Sequence, residues 1–148
     1  MTMEALLAYA HLLAILTMVV FLASEAALCR GEWLNAAVVE RLGKVDLVYG
    51  IAAAAVFVTG LMRVFMGIKG AGYYGHNPLL YVKLGLFLVT GLISIKPTLV
   101  FIRWRKALKA TGALPAAGEI KAMRRLVMVQ AHIVAVIPLA AVFLARGF

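Results

Sequence analysis

Four apolar runs, each long enough to cross a bilayer, constrain this chain more than any other feature. They cover about residues 5–28, 45–66, 79–102 and 126–145, and a transmembrane helix needs roughly 20 mostly apolar residues. In hydrocarbon the backbone must satisfy its own polar groups, so such runs fold as helices. Together they use most of the 148 residues. The expectation is one domain over residues 1–148, an all-α integral membrane four-helix bundle. A 65% hydrophobic composition and a mean hydropathy of +1.01 exclude an ordinary soluble domain. The first run has no basic segment ahead of it, only Glu4, and is too long for a signal h-region, so it is expected to stay as the first helix. Cys29 is the single cysteine, which excludes an internal disulfide and a thiolate cluster within one chain.

The net charge of +9 looks like a nucleic-acid signal until it is mapped. Arg30, Arg41 and Lys44 follow the first run; Arg103, Arg105, Lys106, Lys109, Lys121, Arg124 and Arg125 follow the third. The other side holds Lys69, Arg146 and, at its edge, Arg63. This is a positive-inside bias, and it puts both termini on the non-cytoplasmic side of a bacterial inner membrane as a multi-pass protein. The charge reads as topology and contact with anionic membrane lipid, with no nucleic-acid partner. A homo-oligomer or a larger membrane complex stays open.

The connectors carry their own signals. WLNAAVVERLGK reads as a short interfacial helix, with Trp33, Leu34 and Ala37 toward lipid and Glu32, Glu40 and Arg41 toward water. Gly112, Pro115 and Gly118 predict a loop. GIKGAGYYGHNPLL predicts an ordered turn with interfacial Tyr73 and Tyr74, and Pro78 is placed to open the third helix. Gly50, Gly60, Gly85 and Gly91 read as close helix-packing points.

Ionisable groups inside the runs cost about 2.5–3.5 kcal/mol each at the bilayer centre, so they face the interior unless they lie near the ends. Sorting them by depth gives two layers. The outer one holds His11, Arg63 and Lys83, with His76 from the loop; the inner one holds Glu25, Asp46, Tyr49, Lys96 and His132. His11 and Glu25 share a face of the first helix about 21 Å apart. The inner layer mixes signs and can pair internally. Lys96, followed by Pro97, reads first as a kink held by Glu25 or Asp46. The outer layer has no acid at its depth except Glu4 at the edge. His11 is open to a hydrogen bond with backbone or Thr90, to metal or cofactor ligation, or to a proton relay. Arg63 and Lys83 either extend to headgroups or hold an interior anion.

Haem b meets the physical needs of that outer layer. Its iron takes an imidazole, its ring takes an apolar cleft and its propionates take cations. His11 would be the ligand and Arg63 and Lys83 the propionate partners. His132 differs from His11 by about 12 Å in depth, so it is expected at most as a separate metal site.

The segments DLVYG, TGLMRVF, KGAGYYGHNP, KLGLF and SIKPTLVFIRWR, with AYAHLLA in the first run, resemble the bacterial four-span membrane family known as domain of unknown function 2214. That resemblance implies the fold and no activity. The early histidine, the basic residue ending the second run and VKL early in the third also resemble HemJ-type protoporphyrinogen oxidases and the CopD proteins. The HemJ resemblance implies haem b on His11 and essential roles for Arg63 and Lys83. Three functions remain open. One is a haem-b protein in electron transfer or porphyrin-linked redox chemistry. Another is a small proton or metal-ion transporter with a Glu25, Asp46, Lys96 and His132 relay. The third is a non-catalytic accessory subunit of a larger membrane complex.

Overall fold

Asn35 decides where the second long helix begins. Its backbone is extended and its side-chain oxygen accepts from the Val38 N–H at 3.0 Å, a capping bond for an N–H that would otherwise lack a partner. In the computed structural model, which describes residues 2–146, α2 therefore runs unbroken over Ala36–Met66. The other helices are α1 (Thr2–Leu28), the short α3 (Gly70–Gly75), α4 (Pro78–Thr111) and α5 (Ala117–Ala145). No strand occurs among the described residues. The four long helices are each long and apolar enough to cross a membrane. α1 packs chiefly on α2 and α4 on α5, and contacts of α2 with α4 and of α1 with α5 close the ring.

The helices outrun the bilayer. α4 has 34 residues, about 51 Å of helix against a hydrocarbon core of about 30 Å. The excess lies at the end that carries Arg30, Arg41, Lys44 and the cations from Arg103 to Arg125, called here the basic end. Segments expected as connectors are helical there. WLNAAVVERLGK does not lie flat on the membrane as a separate helix. From Ala36 onward it is the first turns of α2, with Val39 and Leu42 buried. The loop between α4 and α5 shrinks to residues 112–116. Gly112 ends α4 with φ 69 and donates its N–H to the Leu108 carbonyl, a left-handed cap that suits glycine.

The tightest packing sits at the basic end. Leu22, Cys29, Val39, Leu42, Phe101, Trp104, Ile120, Met123 and Val127 belong to one buried cluster that joins all four long helices. The other end, called here the distal end, packs loosely. From Pro78 to Val89 α4 buries no side chain, whereas Pro97, Val100, Phe101 and Trp104 are buried. The outward faces of all four helices carry exposed Leu, Ile and Val, such as Leu6, Ile51, Leu92 and Val136. Apolar surface of this extent suits lipid rather than water.

The distal connector folds as expected, with more order. Tyr73 meets Tyr74 edge to face at 5.3 Å and the Lys69 ammonium sits 4.8 Å from the Tyr73 ring centroid. Asn77 caps α4 by accepting from the Leu79 N–H, and Pro78 occupies its first turn. Of Gly50, Gly60, Gly85 and Gly91, only Gly60 lies against a neighbour. The other three have open space where a Cβ would stand, so they are not close-packing points.

Cys29, in the turn after α1, is fully buried, and its Sγ lies 3.8 Å from the Ile120 carbonyl. Burial is the main force that pushes its thiol up to about 11. The thiolate is the reactive form, so at pH 8 only about one thiol in a thousand is reactive. Native detergent-solubilised protein should leave an Ellman reagent colourless at pH 8 and react with one equivalent after denaturation in SDS. A fast native reaction would place Cys29 outside the core.

Candidate functional site

His11 lies about two and a half turns from the start of α1 and is only 4% exposed. Its Nδ1 is 2.8 Å from the Thr59 hydroxyl on α2. That hydroxyl donates to the Ala55 carbonyl at 2.6 Å, a bond a helical threonine makes to its own preceding turn. With its hydrogen so used, the Thr59 oxygen has a lone pair to accept from His11. In the tautomer that donates from Nδ1 to Thr59, Nε2 keeps a lone pair. Gly60, one residue on, makes room for the ring: a Cβ there would stand 3.3 Å from His11 Cε1. Lys83 and Arg63 are close enough for their charges to act on His11. Lys83 is half-buried and Arg63 exposed. No ion pair reaches either among the described residues. His76 is exposed, and its Nδ1 lies 2.9 Å from the Gly72 carbonyl of its own short helix.

A second polar group lies nearer the basic end, and all four long helices build it. Glu25 on α1 is 1% exposed and Asp46 on α2 is 6% exposed, and their carboxyl groups lie close enough to act on each other. A bond between two carboxyl groups needs a proton on one of them. Thr98 on α4 donates to Asp46 Oδ1 at 3.0 Å. Tyr49 on α2 donates to Gln130 Oε1 on α5 at 3.1 Å. Glu25 Oε1 and Gln130 Nε2 are buried with no partner. Buried polar atoms are seldom left so, and each is expensive.

The depth sorting separates into what the structure joins and what it does not. Glu25, Asp46 and Tyr49 come together. Lys96 does not join them; it is exposed on the outside of α4, in a groove with Leu92, Ile95, Leu99 and Arg103. His132 is also exposed, with its Nδ1 2.6 Å from the Met128 carbonyl. On α5 the buried positions Met123, Val127, Gln130 and Val134 define one face. His132, two residues past Gln130, is turned about 200° from it. Depth along a helix says nothing about direction around it, and here direction excludes both residues from the interior. His11 and His132 therefore share no site. Thr59, Thr98 and Gln130 complete the two clusters. Thr59 was marked only by its place beside Gly60, and Thr98 only by its place after Pro97.

No cluster of three or more His, Cys, Asp or Glu side chains is placed to hold a metal among the described residues. A metal at His11 would have to bring other ligands with it, as the iron of a porphyrin does. Toward that group the site offers a buried imidazole, a small residue beside the ring and two cations within electrostatic reach. The family model described as "Predicted membrane protein (DUF2214)" matches residues 3–148. No curated protein and no solved structure matches the chain.

Proposed function

We propose that this chain, which belongs to the DUF2214 family of predicted membrane proteins, is a haem-b-binding protein of the bacterial inner membrane. It sits with both termini on the non-cytoplasmic side, since the cations gather at the opposite end. The observation that most supports haem is the 2.8 Å contact of His11 Nδ1 with the Thr59 hydroxyl. By accepting from Nδ1–H, the Thr59 hydroxyl would present Nε2 as a ligand. Arg63 and Lys83 would hold the propionates, and the loose distal end would admit the ring. The bound group would supply one-electron chemistry, in electron transfer or in oxidation of a porphyrin-like substrate. The chain's own part is to orient the imidazole, neutralise the carboxylates and keep water from the ring. Protein purified in detergent from haem-replete cells should show a Soret band and a reduced-minus-oxidised difference spectrum. A colourless preparation would sink this reading.

A second reading draws on the inner cluster. Two buried carboxyl groups close enough to share a proton, in reach of the Tyr49 and Gln130 pair, form a group that can take up and release protons within the bundle. The protein would then move protons, and Lys96 and His132 would have no part in the relay. Liposomes holding the protein should show pH-driven proton flux, and Glu25→Gln should stop it.

A further inference from the structure

The turn between α1 and α2 meets the start of α5 around a cavity of about 240 Å³, at the basic end and one helical turn beyond Glu25 of the inner cluster. Its lining includes Arg30, Lys121 and Arg124, the apolar Cys29 and Ile120, and Glu32. Three cations converge there against one exposed carboxylate. The other acids of this end are engaged elsewhere: Glu40 binds Arg105 at 3.1 Å and Glu119 is paired with Arg103. None of Arg30, Lys121 and Arg124 forms an ion pair among the described residues. Arg30 is held in place by its guanidinium over the Trp33 ring, 4.9 Å from the centroid, and its Nε is buried without a partner. Ala117, in the first turn of α5, also lines the cavity, and the residue before it, Ala116, offers no side-chain cap. The free N–H groups of that turn add their own attraction for an anion.

These features define a ligand. Preorganised, unpaired guanidinium and ammonium groups in a recess bind phosphate oxygens through charge-assisted hydrogen bonds. The volume is below the roughly 300–1,000 Å³ of sites for drug-sized molecules, so it suits a single headgroup. We propose that this cavity binds the phosphate of an anionic ligand, either a phospholipid headgroup or free phosphate, through Arg30, Lys121 and Arg124. This differs from diffuse attraction of a basic surface to anionic lipid, because specific cations do the binding and others nearby do not.

Calorimetric titration of the full chain in detergent separates these cases. The probes are short-chain phosphatidylglycerol, short-chain phosphatidylcholine and inorganic phosphate. Saturable binding is expected for phosphatidylglycerol, for inorganic phosphate or for both, and the pattern tells a membrane source from a soluble one. Phosphatidylcholine should bind at least about tenfold more weakly. Arg124→Gln and the solvent-exposed Lys121→Gln should each weaken binding by about tenfold. Lys106→Gln and Lys109→Gln, at the same end but off the cavity wall, should leave it unchanged. The proposal is overturned if no anionic probe saturates, or if cavity and control variants weaken binding equally. Binding unaltered in Lys121→Gln and Arg124→Gln together overturns it as well.

Discussion

Changing His11 to alanine should abolish the Soret band of the purified protein, and changing Thr59 to valine should weaken haem retention by about 10- to 100-fold. The first effect follows from the loss of the imidazole. The second is more specific. Valine keeps the size and branching of threonine but has no oxygen, so Nδ1 loses the acceptor that holds its proton. The ring can then turn, or carry its proton on Nε2, and in either state it ligates poorly. Hydrogen-bond partners behind a metal-bound histidine are worth about that factor in affinity when removed. Thr59→Ser restores the oxygen and should restore most of the affinity. The readout is the absorbance at fixed haem-to-protein ratio after dilution into haem-free micelles. If Thr59→Val retains haem as the parent does, the tautomer argument fails even if His11 proves to be the ligand. If His11→Ala keeps an unaltered spectrum, the outer site is not the haem site.

The spans were legible in the sequence because hydropathy measures the one property the bilayer selects. The helix ends were not, because the same property stops reporting where lipid stops. Val39 and Leu42 are buried by neighbouring helices beyond the expected start of the second span, and Trp104, Ile120 and Met123 do the same for the third and fourth. Between them stand Glu40, Arg41, Arg103, Arg105 and Arg124, which cut any apolar window short. A 3.6-residue periodicity across those charges was the signal for continued helix. Asn35 was another, since it is a strong cap ahead of a helix-forming run.

The two polar clusters were half legible for a related reason. Chain position fixes depth, so Glu25, Asp46 and Tyr49 could be grouped. Azimuth depends on helix rotation, which only packing decides, and so Lys96 and His132 fell in the wrong group. Uncharged residues escaped notice because a threonine in a span can satisfy itself on its own backbone. Thr90 does this with the Leu86 carbonyl. Thr59 makes the same kind of bond and still has an oxygen lone pair to offer His11, which the sequence alone does not distinguish.

Glu25→Leu should destabilise the bundle by about 1–3 kcal/mol, measured by SDS titration in mixed micelles, and Glu25→Gln by clearly less. A hydrogen bond between membrane helices averages only about 0.6 kcal/mol, so any bond lost with the Glu25 carboxyl is the smaller part. The larger part is Asp46, left buried with Thr98 as its remaining partner in an apolar interior. Glutamine avoids this because its amide N–H still donates to Asp46. Removing both acids, in Glu25→Leu with Asp46→Leu, should cost less than the sum of the single changes, since no stranded carboxyl remains. Glu25→Gln also separates structure from function. If the pair only holds α1 to α2, this variant folds and behaves as the parent does. If the pair exchanges protons, it folds and its proton flux stops, because an amide does not titrate. Equal stability of the leucine and glutamine variants would instead mean that water already solvates Asp46, and the inner cluster would then be an open aqueous site rather than a dry one.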